Sequence, residues 1–383
     1  MNSASDVIRA RVFAALAGVT DPEIRKPITE LDMVSGVTVS DTGWVSVGIR
    51  LTIAGCPAAA RIESDVLAAA ESVSGVGRAS VEVAVMTREQ RTALTEKLRG
   101  GQVQRSVQFG PESLTRVYAV TSGKGGVGKS TVTANLAVAL AGEGLRVGIV
   151  DADVHGFSIP GLLGLVHNGL AVKPTQVGDM ILPPIAHNVK VISIGMFIDD
   201  ASAAVAWRGP MLHRTIKQFL TDVYFGDLDV LLLDLPPGTG DVAITVGQLL
   251  PHAEVIVVTT PQAAAADVAE RSGIVARQTG QSVYGVIENM SAMVQADGSL
   301  LELFGSGGGA EVARRLSVGQ TAPVPVLAQI PLSVALRSGG DIGLPIVLGA
   351  PDDPSARAIL ELAHSMKTRA RGLAGLSLGL TPR

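Results

Sequence analysis

A glycine-rich segment, Gly-Lys-Gly-Gly-Val-Gly-Lys-Ser at residues 123–130, constrains the fold of this chain more than any other feature. A β-branched run at 117–121 precedes it, and a helical pattern at 131–141 follows it. In a strand–loop–helix unit of this kind, glycines let backbone N–H groups converge on phosphate oxygens, and the helix N-terminus adds a favourable dipole. The segment therefore predicts a phosphate-binding loop (P-loop).

The pattern G-x4-G-K-S also assigns roles within this loop. Lys129 is expected to reach the β- and γ-phosphates of ATP, and Ser130 to offer its hydroxyl to Mg²⁺. Thr131 belongs either to the nucleotide site or to helix packing alone. The predicted nucleotide-binding set of the loop is Gly123, Lys124, Gly125, Gly126, Val127, Gly128, Lys129, Ser130 and Thr131.

Six short apolar runs alternate with helical patterns after residue 115. They lie at 117–121, 146–150, 230–233, 254–260, 282–288 and 325–330. This spacing predicts an α/β fold with a mostly parallel sheet and helices on both faces. The composition, 47% hydrophobic but only 3% aromatic, suits its core of Val, Ile, Leu and Ala. Ligands of such sheets bind beyond the carboxyl ends of the strands.

Carboxylates and amides follow several of these predicted strands. Asp234 ends an apolar run, the Walker B arrangement that places an acid beside Mg²⁺. Asp151 and Asp153 follow the run at 146–150, and paired acids suit a metal ion and a water molecule. The loop 235–241, rich in Pro and Gly, predicts a γ-phosphate-sensing switch; its last residue, Asp241, either caps the next helix or acts directly in catalysis.

Two residues after later strands are candidates for adenine recognition. The amide of Asn289 can pair with N6 and N7 of adenine, and Pro331 can pack beside the base. Both residue types also end strands for reasons of turn geometry. His155 has no partner in the sequence and is interpreted as structural.

The first quarter of the chain predicts a separate small α+β domain, residues 1–98. Helical spacing at 5–17 and 57–74 alternates with a hairpin at 36–51, broken at 40–43, and a strand at 79–86. Periodicity is lost at 99–115, a predicted linker. The P-loop ATPase domain is predicted at 116–371 and a flexible tail at 372–383.

Charge and cysteine content narrow the partners and the compartment. A net charge of −4 supplies no overall basic field, so we do not expect nucleic acid as a partner. The sequence contains no leader pattern and no apolar run long enough to span a membrane. The single cysteine, Cys56, excludes an intrachain disulfide. We therefore expect a cytoplasmic location.

Seven motifs of the predicted ATPase domain together resemble the Mrp/ApbC family. They are Thr-Ser-Gly-Lys-Gly-Gly at 121–126, Asp-Val-His-Gly at 153–156, Trp-Arg-Gly-Pro at 207–210, Leu-Pro-Pro-Gly-Thr-Gly-Asp at 235–241, Ile-Glu-Asn-Met at 287–290, Phe-Gly-Ser-Gly-Gly-Gly at 304–309 and Ile-Pro-Leu at 330–332. Asp-Pro-Glu at 21–23 and Gly-Cys-Pro at 55–57 are similar to the small module that precedes the ATPase in many Mrp proteins.

This resemblance implies a function and several residue roles. Mrp proteins are iron–sulfur cluster carrier or maturation ATPases of the MinD/ParA-like class with a deviant Walker A motif. By resemblance, Lys124 reaches across a homodimer to the partner's nucleotide, Asp151 lies near Mg²⁺ and Asp153 activates the attacking water. Lys124, Lys129 and Asp153 are then the expected catalytic residues of an ATP hydrolase, and its partners are iron–sulfur client or assembly proteins.

One departure from the family concerns the cluster. Family members usually carry Cys-x-x-Cys shortly after the Glu-Asn-Met stretch, where two chains together hold a [4Fe–4S] cluster; residues 291–306 here contain no cysteine. A dimer of this chain supplies only two thiolates, both from Cys56. Cys56 is therefore a candidate cluster ligand or an unreactive buried residue, and the sequence leaves both a bound and an absent iron–sulfur cluster open.

Two other functions remain open at this point. A MinD/ParA-like positioning ATPase would act on a membrane or DNA and would need a basic or amphipathic tail. Residues 359–371 place apolar side chains near basic ones, although three glycines follow. A nucleotide-gated scaffold that does not hydrolyse ATP is the other alternative, against which Asp151, Asp153 and Asp234 argue.

Overall fold

The computed structural model describes residues 4–40, 42–56, 58–100, 107–154, 156–198, 209–295 and 297–369. The interpretations of His155, of Trp207 and Arg208, of linker residues 101–106 and of the tail at 372–383 lie outside these ranges. The described residues form two compact units, which are treated separately below.

Six elements form the first part of the chain. They are helix α1 (Ala4–Leu16), strands β1 (Val34–Val39) and β2 (Trp44–Leu51), helix α2 (Ala59–Glu71), strand β3 (Arg78–Val85) and helix α3 (Arg88–Leu98). β2 pairs antiparallel with β1 and parallel with β3. Alternate residues of β2 are buried, as a strand with one covered face requires. The predicted small α+β domain is present.

Helix α3 is absent from the sequence-based prediction. It begins with a capping box, in which Thr87 accepts a hydrogen bond from the backbone of Gln90 while the Gln90 side chain accepts one from the backbone of Thr87. Thr-x-x-Gln is a helix-start signal visible in the sequence. The prediction stopped one element too early.

Fourteen strands follow within the residues that the structure describes. They are β4 (Arg116–Ser122), β5 (Val147–Asp151), β6 (Val166–His167), β7 (Leu170–Ala171), β8 (Thr175–Val177), β9 (Met180–Leu182), β10 (Ile185–Ala186), β11 (Val189–Ser193), β12 (Val230–Asp234), β13 (Glu254–Thr259), β14 (Ser282–Ser291), β15 (Met293–Val294), β16 (Leu300–Leu301) and β17 (Val326–Pro331).

Nine α-helices and a short 3₁₀-helix at Ile194–Phe197 accompany them in the described residues. The α-helices are α4 (Lys129–Gly142), α5 (Ile159–Leu162), α6 (Gly209–Asp222), α7 (Asp241–Leu249), α8 (Ala263–Gln278), α9 (Gly308–Ser317), α10 (Val334–Asp341), α11 (Ile346–Gly349) and α12 (Pro354–Thr368).

The smaller unit is discontinuous in sequence. It contains the described part of residues 1–105 together with residues 174–183 and 222–226. The first of these two insertions is the hairpin of β8 and β9, and its residues Val177, Met180 and Leu182 join the same hydrophobic core as Val45 and Ile62. Segments that follow the P-loop in the chain therefore complete the core of the small α+β unit.

The larger unit is built on an eight-stranded sheet of order β10-β11-β5-β12-β4-β13-β14-β17. All neighbouring strands are parallel except the short edge pair β10–β11. The predicted α/β P-loop fold with a mostly parallel sheet is confirmed. β4 lies near the centre, and the chain leaves it for β5 on one side and returns through β13 on the other, so β4 ends at a topological switch point.

Helix α12 uses its apolar face inside the larger unit. Its residues Ile359, Leu362 and Met366 are buried where the helix packs on α4 and β17. The basic residues at its end pair within the chain, Lys367 with Glu143 at 2.8 Å and Arg369 with Glu254. In the amphipathic stretch that a membrane-binding ATPase would use, residues 359–371, the apolar side chains are therefore buried within the larger unit as far as residue 369. No described helix is long and apolar enough to cross a membrane.

Candidate nucleotide-binding site

The P-loop connects β4 to α4 in a conformation that depends on its glycines. Gly126 and Gly128 have φ values of 81° and 78°, a left-handed region that side chains disfavour. A Cβ on Gly128 would lie 2.2 Å from Nδ2 of Asn289, whereas Cβ atoms on Gly125 or Gly126 would meet nothing within 4 Å. The loop is therefore closely supported at its end and open along its middle, as a cradle for phosphate oxygens requires.

Lys129, the first residue of α4, carries a buried ammonium group between carboxylates. Its side chain is only 6% exposed, and Nζ lies 2.7 Å from Oδ2 of Asp234 and 3.7 Å from Oδ2 of Asp153. Nζ is also 3.2 Å from Oγ of Ser130. A cation this well buried is placed to meet an anion that enters the loop.

Asp234 is the carboxylate around which this cluster is organised. It is completely buried at the end of β12; Ser130 donates its hydroxyl to Oδ2 at 2.5 Å and Thr133 to Oδ1 at 2.9 Å. Burial raises the pKa of Asp234, while the charge of Lys129 and these hydrogen bonds act in the opposite direction. Thr133 was not predicted, although its position one helical turn after Lys129 places it on the same face of α4.

Asp151 lies beside Asp234 because their strands are neighbours in register. β5 pairs Asp151 with Asp234 of β12 and with Ser193 of β11. The Ser193 hydroxyl donates to Oδ2 of Asp151 at 2.9 Å, and the backbone N–H of Asp153 donates to Oδ1 at 3.2 Å. Burial, and then the nearby charge of Asp234, raise the pKa of Asp151 well above its usual range.

Ser193 was missed by sequence reasoning. It ends β11, a strand that the apolar pattern did not reveal, and its hydroxyl orients Asp151 from the far side of β5. This run of five buried residues, Val-Lys-Val-Ile-Ser, has a lysine as its second residue and therefore does not stand out in the sequence.

The structure places Asn289 against the P-loop. Its side chain is 3% exposed, and its Nδ2 donates to the carbonyl of Val127 at 2.8 Å. Its Oδ1 is buried without a hydrogen-bond partner within the part of the chain that the structure describes. Pro331 ends the edge strand β17 at the same side of the sheet, and its carbonyl accepts a hydrogen bond from Ser355 at 2.9 Å. Contact of either residue with adenine stays a prediction.

Lys124 and Asp241 occupy different surroundings from Lys129. The ammonium of Lys124 donates to Oε1 of Gln262 at 2.8 Å. Asp241 begins α7, whose N-cap is Gly240, and its Oδ2 lies 2.7 Å from where a Cβ on Gly209 would stand. The fold therefore brings Lys129, Ser130, Asp151, Asp153 and Asp234 into one cluster and holds Lys124 elsewhere.

The cluster contains the groups that bind a nucleoside triphosphate together with Mg²⁺. A buried ammonium and an open glycine loop at the N-terminus of a 14-residue helix suit phosphate, while a hydroxyl and a carboxylate suit Mg²⁺. No group of three His, Cys, Asp or Glu side chains among the described residues forms a metal site by itself. Mg²⁺ is usually held by one or two protein groups together with phosphate.

Cys56 belongs to the smaller unit, where it precedes α2. It is 6% exposed, and its carbonyl accepts a hydrogen bond from the backbone of Ala59 at 3.0 Å. Burial first, and then the charges of Glu23 and Asp21, raise the pKa of the Cys56 thiol. Asp21 and Glu23 of the first motif thus lie near Cys56 of the second, and the thiol stays neutral near pH 7.

Each of the two parts of the chain matches a known protein family. Residues 113–367 match the family described as NUBPL iron-transfer P-loop NTPase, and residues 9–83 match the family described as iron–sulfur cluster assembly protein. Relatives named iron–sulfur cluster carrier protein come from Mycobacterium leprae, 55% identical over 98% of this chain and 97% of the relative, and from Synechocystis, 39% identical over 93% and 96%.

A solved structure resembles the larger unit. It is the septum site-determining protein MinD from Pyrococcus horikoshii, complexed with Mg-ADP, which is 26% identical with a TM-score of 0.50 and covers 66% of this chain and 96% of that one. The expected Mrp/ApbC resemblance and the MinD/ParA-like fold are confirmed. Since the family model spans about two thirds of the chain and the relatives span nearly all of it, this protein is a P-loop NTPase that belongs to the NUBPL iron-transfer family.

Proposed function

We propose that this protein is a homodimeric Mg-ATP hydrolase of the cytoplasm that carries or hands on iron–sulfur clusters during the maturation of other proteins. The observation that carries the proposal is the cluster in which Lys129 lies between Asp234 and Asp153 beside an open glycine loop. The names of the relatives support the cargo. The contacts of Lys129 and Ser130 with Asp234 support the nucleotide chemistry.

Each residue of the cluster has a defined part in hydrolysis. Lys129 exchanges its contact with the carboxylates for the phosphate oxygens of ATP, since an ammonium stabilises the charge that builds up on them. Ser130 and Asp234 would hold Mg²⁺, which would neutralise phosphate charge when bound. Asp151 accepts the N–H of Asp153 and so fixes the backbone that aims the Asp153 carboxylate at the attacking water.

The homodimer enters the proposal through Lys124. We assign to it the role of reaching the nucleotide of a second copy, as the deviant Walker A motif implies. Its side chain lies outside the Lys129 cluster and is held by an uncharged partner, Gln262. A lysine without a role inside its own site is available for one in another subunit.

Cluster carriage must differ from the usual arrangement because thiolates are scarce. A [4Fe–4S] cluster ordinarily takes four cysteine thiolates, and two copies of this chain supply two. Cys56 is in addition buried, with a raised pKa that favours the neutral thiol. Any cluster must be completed by non-thiolate groups, a small thiol or a client protein, and such a cluster would be labile.

Anaerobic reconstitution with iron and sulfide tests this proposal. We expect the isolated protein to retain no stable [4Fe–4S] cluster after passage over a chelating resin, and the iron that it acquires transiently to depend on Cys56. Iron and sulfide content, measured for the native chain and for Cys56→Ser, gives the stoichiometry. Chelator-resistant iron that persists in Cys56→Ser would show that the ligands lie elsewhere.

A transfer assay tests the link to ATP. Reconstituted protein is mixed with an apo-protein whose own site provides four cysteines, and recovery of that protein's activity is followed with and without Mg-ATP. We expect ATP to change the rate of transfer, and Lys129→Ala to remove the effect of ATP. A transfer rate that is the same with and without Mg-ATP, and in the native chain and Lys129→Ala, would refute a nucleotide-driven carrier.

A further inference from the structure

The two lysines of the P-loop are held on opposite sides of β4. Lys129 contacts Asp234, which ends β12, and Lys124 contacts Gln262, which follows β13. In the sheet, β12 and β13 flank β4 on its two sides. The loop therefore directs one ammonium toward the buried acids and the other toward the N-terminus of α8.

Gln262 is held in position by the packing of α8 against the start of the loop. It is the N-cap residue of this 16-residue helix. A Cβ on Gly123 would lie 2.3 Å from the backbone nitrogen of Ala269, and Ser272 donates to the carbonyl of Ser122 at 3.3 Å. Because α8 touches the loop this closely, the amide of Gln262 stays within reach of Lys124.

The chemistry of this contact makes it reversible. Oε1 of Gln262 accepts a hydrogen bond from the Lys124 ammonium at 2.8 Å but leaves its charge uncompensated. By contrast, Lys129 meets a carboxylate at 2.7 Å. A carboxylate at position 262 would hold Lys124 by an ion pair, which is stronger than a hydrogen bond to a neutral acceptor. A neutral amide orients the lysine and still lets a stronger anion attract it.

We propose that Gln262 is a positioning residue that retains Lys124 within its own subunit, and that release of this contact frees Lys124 to reach the nucleotide bound by a second copy. The inference rests on the proposed homodimeric ATPase. Gln262 then sets how readily the ATP-bound dimer forms, because the contact must break before Lys124 can cross.

Two variants at position 262 and one control variant at position 278 test this inference. Gln262→Met keeps the length of the side chain and removes the acceptor; Gln262→Glu makes the acceptor negative; Gln278→Met changes an exposed glutamine at the other end of α8. With Mg²⁺ and a non-hydrolysable ATP analogue, we expect Gln262→Met to dimerise at a protein concentration about tenfold lower than the native chain. Gln262→Glu should require a higher concentration, and Gln278→Met should match the native chain. Sedimentation velocity measures all four.

A second background separates positioning from a structural role of α8. In Lys124→Ala, the substitutions at Gln262 should change nothing, since the residue acts only through that lysine. ATP hydrolysis gives a further readout: the protein concentration at which the hydrolysis rate per chain reaches half of its maximum should fall with Gln262→Met. Effects of Gln262→Met that persist in Lys124→Ala would overturn the inference.

The outcomes also distinguish this inference from the function on which it rests. A native chain that stays monomeric with the nucleotide would overturn the proposed homodimer and the inference together. Equal dimerisation of the native chain and Lys124→Ala would leave the homodimer standing and overturn the role of Lys124, and with it the inference. A native chain that dimerises through Lys124 while Gln262→Met and Gln262→Glu behave as it does would overturn the inference alone.

Discussion

The P-loop of the larger unit and the Cys56 loop of the smaller unit both precede a helix and both bury a reactive group, but their electrostatics differ. Lys129 is buried between Asp234 and Asp153, so opposite charges compensate each other. Cys56 is buried, with the carboxylates of Glu23 and Asp21 near enough to oppose a negative charge on its sulfur. The first loop stabilises an ion and the second stabilises a neutral group.

Because of this contrast, the chain's own residues suit ATP hydrolysis better than they suit cluster binding. The nucleotide site holds a cation, a hydroxyl and carboxylates on adjoining elements of one unit, so it can act on ATP with its own residues. The thiol has neither further cysteines in the chain nor an environment that favours the thiolate. A cluster at Cys56 therefore needs ligands other than the chain's own thiols.

The largest effect is expected for Lys129→Ala. Removing the ammonium leaves Asp234 and Asp153 facing the phosphates, so affinity for Mg-ATP should fall by at least about a hundredfold. Isothermal titration calorimetry measures the affinity, and Lys217→Ala, an exposed lysine on α6, is the control. Near-normal affinity in Lys129→Ala would contradict the assignment of this loop as a P-loop, and the contrast with the Cys56 loop would fail.

Asp153→Asn should separate binding from hydrolysis. The phosphate contacts of Lys129 remain, so Mg-ATP affinity should change only a few-fold, whereas loss of the water-orienting carboxylate should slow hydrolysis by about a hundredfold or more. Asp241→Asn is the matched variant on the switch loop. If Asp241→Asn slows hydrolysis and Asp153→Asn does not, the catalytic role belongs to Asp241.

Glycine substitutions compare the rigidity of the two loops directly. Gly128 and Gly55 both have positive φ values, 78° and 72°, but a Cβ on Gly128 would also clash with Asn289, while one on Gly55 would meet nothing within 4 Å. Gly128→Ala should therefore lower the free energy of unfolding by more than the about 1–2 kcal/mol that the left-handed conformation alone costs. Gly55→Ala should cost no more than that.

Denaturant titrations with circular dichroism measure both variants, and each is compared with the transition of the unit that contains it. Equal losses would show that Asn289 yields to the added methyl group. The P-loop would then be no more rigidly supported than the loop of Cys56.

The smallest effect concerns pH and Cys56. Because the folded protein raises the pKa of this thiol, folding favours the neutral form; that stability is fully present below the pKa of the unfolded chain, about 8.5, and is lost as pH rises toward the folded value. Unfolding measured from pH 7 to 10 should show this loss, and Cys56→Ala should show less of it. An identical pH profile for the two proteins would mean that the thiol ionises as freely as in water.

Much of the larger unit was predictable because its signals are local. Six β-branched runs gave six strands, and the P-loop, Asp151 and Asp234 follow from residue types at strand ends. The small domain was predictable for the same reason, except for α3. The prediction failed for β11, where Lys190 interrupts an apolar run and yet is buried.

Other features depend on contacts between residues far apart in the chain. The pairing of Lys124 with Gln262 joins positions 138 residues apart, and that of Ser193 with Asp151 joins positions 42 apart. Neither residue type nor periodicity marks such partners. The hairpin of β8 and β9 completes the core of the smaller unit, and nothing in the sequence pattern predicts that it belongs to that unit.

The sequence by itself determined the α/β class, the P-loop, the acids at the strand ends and the shortage of cysteine, because each of these is set by residue type and spacing over a few positions. Only the tertiary structure decided which acid meets Lys129, that Asn289 supports the loop, that Lys124 is held by Gln262 and that Cys56 is buried beside carboxylates. Strand order and helix packing set these distances, and both arise from the burial of apolar surface over the whole chain.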